Sequence, residues 1–173
     1  YMIQYDSPRF PGRVNKFLAV RGQEIYRYHC ATCHGDYDDS LDQPRLSRFP
    51  NRLSPQSEMG TDAARWRAID EPLIQAIRAT GFAEYVAPRN TGGYVAPRLT
   101  ALWATAPYLH NGSVPTLNHL LNPNQRPKKF YVGGHKLDFD QFGIAGALDG
   151  NGTWNYPNQY VPWSIPTLYN TEK

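Results

Sequence analysis

Two cysteines stand in this chain of 173 residues, and both fall within one pentapeptide, Cys30-Ala31-Thr32-Cys33-His34. Cys-x-x-Cys-His is the attachment pattern of a c-type haem. Two thiols three positions apart on a helical turn can each form a thioether to one vinyl edge of a porphyrin. The next residue, His34, then stands under the iron and supplies the proximal nitrogen. The rival readings fit less well. A redox dithiol wants a βαβ context, which is not evident around this segment. A zinc site wants about four ligands, and no second Cys/His pair follows at suitable spacing. A disulfide across three positions would close a tiny loop and constrain little.

A haem that only relays electrons is usually held by two strong axial ligands, His/Met or His/His. The pool for the far side of the iron is Met2, His29, Met59, His110, His119 and His135. His29 adjoins Cys30 and is poorly placed to reach the other face. Met2 lies in an N-terminal arm. Met59 follows the motif in a loop, with packing as its bland role. His119 sits on a short helix and His135 in a glycine-rich turn, where exposed histidines are common. The distal ligand stays open among Met59, His110, His119 and His135, beside a five-coordinate iron.

The elements that must position this chemistry are mostly irregular. Fifteen prolines and 14 glycines are many for a helical domain of this size, as are 12 Tyr, seven Phe and four Trp. The length suggests one domain over residues 1–173, loop-rich, whose core is partly the cofactor. The net charge of +3 is too small to point to nucleic acid. No apolar run approaches a membrane span. The chain shows no charged-then-apolar secretory leader and is expected to be mature or cut from something longer, since covalent haem attachment in bacteria takes place outside the cytoplasm. The expectation is a processed, periplasmic or extracellular bacterial protein.

Residues 1–13 read as an extended arm. From about Val14 a helical pattern runs into the motif and carries Cys30 and Cys33 on its last turn, with Gly35 as its stop. Asp36, Asp38, Asp39 and Asp42 offer the hard oxygens that Ca²⁺ prefers, but their spacing is not that of an EF-hand, and a solvated acidic turn is the plainer reading. Residues 43–55 read as loop. Thr61 and Asp70 are candidate caps of two short scaffold helices, the second stopped by Gly81. Tyr85-Val86-Ala87-Pro88-Arg89 recurs as Tyr94-Val95-Ala96-Pro97-Arg98, with Gly92-Gly93 between the copies, which suggests a small hairpin. Leu99 to Ala104 suggests a short buried helix, and Thr116 a cap for another. Phe130 to Val132 and Leu137 to Phe139 suggest a second hairpin. The tail, 144–173, is Gly, Asn, Pro and aromatic residues without period, expected to wrap the surface.

The stretch Tyr94 to Leu99, followed by Trp103-Ala104-Thr105-Ala106-Pro107-Tyr108-Leu109-His110-Asn111-Gly112-Ser113-Val114-Pro115-Thr116-Leu117, resembles the C-terminal haem domain of the bacterial di-haem cytochrome c peroxidase superfamily. It is most similar to the rubber-oxygenase branch. Met59-Gly60-Thr61-Asp62, Arg126-Pro127, Phe130 to Gly133 and Asp138 to Gly143 share the likeness. The resemblance implies a mainly α, class I-like cytochrome c fold with short helices around one haem c and minor hairpin content. It also implies an exported location and work with peroxide, dioxygen or an electron partner. Pro97 and Leu99 resemble the Pro-x-Leu element in which the Pro carbonyl accepts from the proximal imidazole and the Leu packs on the ring. Pro44-x-Leu46 competes, and the family match favours Pro97. Trp103 and Tyr108 are expected near the cofactor as core aromatics, and His110 near it as a hydrogen-bonding residue.

The chain departs from that family twice. It has one haem motif where the enzymes carry two, and the matched half is the relay-like one. The peroxidases' distal Met falls here on Asn124, and the oxygenase branch's C-terminal His has no counterpart after His135. The reading is therefore an exported mono-haem electron carrier, working with a redox protein partner or a larger electron-transfer assembly. The alternative is the haem-relay part or subunit of a di-haem peroxidase- or oxygenase-like enzyme.

Overall fold

The structure is a computed structural model that describes residues 7–41, 43–60, 63–110, 112–130, 136–155 and 168–169. Its longest helix, α1, spans Lys16–His29. Asn15 caps it, the Oδ1 accepting the Leu18 N–H at 3.2 Å. The helix does not run smoothly through the haem motif. Cys30 departs from helical geometry at φ −119°, and a separate turn, α2 (Ala31–His34), follows. The Cys30 carbonyl accepts from both Cys33 and His34, at 3.1 and 2.9 Å, so the pentapeptide is one tightly closed turn. Gly35 ends it at φ +90°, and a Cβ there would stand 2.5 Å from the Arg48 carbonyl oxygen. Glycine is thus required twice, by backbone angle and by space.

Beyond the motif the chain is loop-rich, with short helices and small sheets. Strand content exceeds the expected minor hairpins: ten strands of two or three residues form four sheets among the described residues. β1 (Asp36–Tyr37) pairs antiparallel with β2 (Leu46–Arg48). β3 (Leu53–Pro55) pairs antiparallel with β4 (Gly93–Val95), Ser54 opposite Tyr94. Residues 43–55, expected as loop, therefore hold two strands. The reason is tertiary: each is only three residues long, too short to carry an alternating pattern, and is fixed by the strand it pairs with.

Helices α3 (Gln56–Met59), α4 (Ala64–Arg67) and α5 (Glu71–Arg78) follow β3. Asp70 caps α5 as expected, its Oδ1 accepting from Leu73 N–H at 3.0 Å, with Pro72 in the first turn. Thr61 and Asp62 lie outside the described residues. Gly81 does not stop α5, which closes at Ala79. It opens a 3₁₀ turn, Gly81–Glu84, capped by Thr80. The two copies of the Tyr-Val-Ala-Pro-Arg echo do not pair. Tyr85 and Val86 follow that 3₁₀ turn and donate back to the Phe82 carbonyl, while the second copy enters β4 and joins β3. The expected helix at Leu99–Ala104 is a single 3₁₀ turn, Leu102–Ala104, and is not buried.

The closed core sits in the C-terminal half. Phe130, Ile144 and Trp154 form it, with Ala106 and Leu137 packed alongside. A four-stranded sheet ordered β10-β5-β9-β8 builds that core from β5 (Lys129–Phe130), β8 (Ala147–Leu148), β9 (Thr153–Asn155) and β10 (Leu168–Tyr169). β6 (Leu137–Asp138) pairs with β7 (Gly143–Ile144). The hairpin expected between 130–132 and 137–139 is absent among the described residues, because Phe130 pairs with Trp154 and Leu168 instead. Nor is the tail a mere wrapping: it supplies three of the four strands of this sheet. α6 (Leu117–Leu121), capped by Thr116, lies against it.

α1, by contrast, buries none of its side chains, and Phe17, Leu18 and Ile25 are exposed. Among the described residues no helix is long and apolar enough to cross a membrane.

Candidate haem-attachment site

Cys30 and Cys33 are both free thiols, half-buried and not joined to each other. They open with His34 into a cavity of about 500 Å³. The opposite walls are β3, β4 and the loop around Leu109 and His110.

The decisive contact fixes the imidazole. His34 Nδ1 lies 2.9 Å from the Pro97 carbonyl oxygen. A carbonyl only accepts, so Nδ1 carries the proton and donates. That leaves the lone pair on Nε2, the nitrogen a metal would take, and the hydrogen bond fixes the tautomer and the ring's orientation. Of the two Pro-x-Leu segments, Pro97 supplies this carbonyl. Pro44 instead lines a separate apolar cavity of about 910 Å³.

A second tie holds the Pro97–Leu99 segment in place. The Leu99 N–H donates to the Tyr37 hydroxyl at 2.7 Å. Tyr37 stands edge-on to Tyr26, ring centroids 5.9 Å apart, and the Tyr26 hydroxyl donates to the Gly35 carbonyl at 2.8 Å. The residue that closes the motif turn and the residue two past Pro97 are thus joined through two phenols. Desolvation pushes both phenols' pKa values upward, so each keeps its proton. In the sequence Tyr26 is one residue of the helical pattern before the motif, and nothing sets it or Tyr37 apart from the other tyrosines of the 12.

Three of the distal-ligand candidates, His29, Met59 and His110, line the cavity. His119 lies elsewhere: it is buried, its Nδ1 hydrogen-bonded with the Thr116 hydroxyl at 2.6 Å, its ring edge-on to Trp154. Met2 and His135 fall outside the described residues. Leu99 and Trp103 line the 910 Å³ cavity, against Phe10 and Leu102. Tyr108 lines neither cavity. Its hydroxyl donates toward the carbonyl oxygens of Leu102, at 2.7 Å, and Phe142, at 2.9 Å, and burial pushes its pKa up to about 12.

The acidic stretch after Gly35 is spent on structure. Asp36 pairs with Arg48 and Asp39 with Arg27, each at 2.6 Å. Asp38 Oδ1 accepts the N–H groups of Ser40 and Arg45. Asp42 lies outside the described residues, and among those described no group of three carboxylate, thiol or imidazole side chains is gathered as for a metal ion.

The chemistry of the donor set tests whether these residues suit a porphyrin. The two thiols and the Nε2 that the Pro97 bond leaves free are the donors that covalent haem attachment uses, and all three residues line one cavity. The residues fit the group.

Known proteins are similar to this chain. The chain is 34% identical over 152 residues to the uncharacterized protein y4iM of Sinorhizobium fredii, a match covering 79% of this chain and 35% of that protein. It is 51% identical over 88 residues to the uncharacterized protein y4iJ of the same organism, covering 47% of this chain and 14% of the other. The chain therefore spans about a third or less of the relatives it matches. No solved structure matches it. The RoxA-like, cytochrome c-like family matches residues 93–131, which run from β4 through the Pro97 carbonyl and the Pro107-Tyr108-Leu109-His110 segment to the start of the core sheet. Over those residues the chain resembles the RoxA-like, cytochrome c-like domains.

Proposed function

We propose that the chain is an exported mono-haem c-type cytochrome that transfers single electrons. The observation that carries this is the 2.9 Å hydrogen bond between His34 Nδ1 and the Pro97 carbonyl, beside two free thiols. In this reading haem c, when bound, supplies an iron that cycles between two oxidation states. Cys30 and Cys33 anchor it as thioethers. His34 offers Nε2 from a ring that Pro97 holds in one tautomer. Tyr26 and Tyr37 keep the motif turn and the Pro97–Leu99 segment at fixed separation, which limits reorganisation when charge changes. Of the distal candidates, Met59 and His110 line the same cavity and are the side chains available for the far side. No acid–base pair is required, because no proton need move.

In a class I-like arrangement the partner is a redox protein docking near the exposed edge, in the periplasm or outside the cell. A second reading, a haem-relay part or subunit of a di-haem peroxidase- or oxygenase-like enzyme, is favoured by the exposed apolar side chains of α1. They are a surface suited to further protein.

The test is covalent haem. Expressed with the haem-attachment machinery, the protein should gain one haem in intact mass, resist acid–acetone extraction, and lose the pigment when Cys30 and Cys33 are both replaced by serine. A colourless product with unmodified thiols overturns the proposal. A low-spin spectrum indifferent to carbon monoxide and cyanide supports the carrier, and a high-spin, ligand-binding one supports the enzyme part.

A further inference from the structure

Two hydrogen bonds join the same two stretches of chain. His34 Nδ1 donates to the Pro97 carbonyl at 2.9 Å, and the hydroxyl of Tyr37, just past the motif, accepts the Leu99 N–H at 2.7 Å. Residues 97–99 make no other hydrogen bond among the described residues. Arg98, between the two bonds, lies over the Phe49 ring, a contact that holds its side chain and not the Pro97 carbonyl. The two bonds differ in shelter: the His34 bond is exposed and the Tyr37 bond part-buried. A single exposed bond lets the chain pivot about it, and water competes for the carbonyl. A second, sheltered bond two residues along removes the pivot. Tyr37 can supply it because it is itself held. Its backbone stands in β1 opposite Leu46 of β2, and its ring is edge-on to Tyr26, whose hydroxyl donates to the Gly35 carbonyl.

We propose that Tyr37 is a positioning residue for the proximal imidazole: by holding the Leu99 amide it fixes where the Pro97 carbonyl stands, and so the rotation of the His34 ring. The assignment rests on the haem reading above, which makes His34 the proximal ligand. Ring rotation sets how the imidazole meets the iron's orbitals, so the phenol acts on the metal without touching it.

The experiment compares Tyr37→Phe with the parent, both haem-loaded, with covalent haem content measured first. The substitution removes the hydroxyl and keeps the ring against Tyr26, so the variant is expected to fold. NMR follows exchange of the Leu99 N–H and the His34 Nδ1–H with solvent, and EPR of the ferric form reports the orientation of the axial imidazole. Both protons should exchange roughly tenfold faster in Tyr37→Phe, and the ferric g values should shift or split. Asp70→Ala removes the cap of α5, which bonds to neither stretch, and controls for a general loss of stability. It should leave both readouts at the parent's values. His34 exchange or g values that stay at the parent's in Tyr37→Phe overturn the assignment, whatever the Leu99 proton does, and so does an equal response in Asp70→Ala. A parent protein without covalent haem sinks the function proposed above instead, a failure that haem content reports before either spectrum is recorded.

Discussion

His34 and His119 show how far one residue type is decided by its neighbours. His34 meets a carbonyl and keeps a lone pair turned to other use. His119 meets a hydroxyl and an indole in a closed core, and desolvation lowers its pKa below the ordinary 6.5. It is therefore neutral when folded, while in the unfolded chain it charges as pH falls through about 6.5. Below that value the unfolded state binds more protons, so stability drops as pH falls and is fully present above it. His119→Gln should flatten the dependence of unfolding free energy on pH between about pH 7 and pH 5, while losing about 1–3 kcal/mol at pH 7 through the broken hydrogen bond. Urea titrations across that range check it. An equally steep decline in the variant would show that other groups carry the slope.

Among the elements, the β3–β4 pair matters most to the site, because it carries Ser54 and Tyr94 and leads within two residues to the Pro97 carbonyl. The strands touch closely at Gly93, where an added Cβ would overlap the Ser54 carbonyl group. Backbone cannot retreat as a side-chain tip can. Gly93→Ala should therefore cost about 1–3 kcal/mol and spread the pair. With Pro97 displaced, the haem-loaded variant should show a changed ligand-field spectrum beside a lowered unfolding midpoint. Stability lost with an unaltered spectrum would separate the strand pair from the positioning of Pro97.

At the scale of the molecule, the packed core and the haem motif occupy different halves. Phe130, Ile144 and Trp154 are closed off, while α1 and the motif face open cavities. Trp154 joins three roles: it is a strand residue of β9, a core member and the ring against His119. Trp154→Ala should cost about 3–5 kcal/mol. It should leave the thioether linkages intact, since neither cysteine touches that core. Calorimetry with intact mass distinguishes this from a protein whose haem half unfolds first.

The sequence by itself determined the donor set from which haem attachment is read. Cys30, Cys33 and His34 are adjacent, so their turn is a local matter, and one short helix with Gly35 behind it suffices to form it. Caps at Asp70 and Thr116 were legible for the same reason, since each bond spans three residues. Residues 94–117 were legible as a family segment, and the family match falls there. Only the tertiary structure decided which carbonyl meets His34, because the Pro97 bond crosses 63 positions and nothing local distinguishes it from Pro44. It also decided that Leu46–Arg48, Leu53–Pro55 and the tail segments Ala147–Leu148, Thr153–Asn155 and Leu168–Tyr169 are strands, through the partners they meet. And it decided which histidines and methionines face the cavity. A strand of two or three residues has no periodicity to read, and a side chain's use depends on what the rest of the fold brings opposite it.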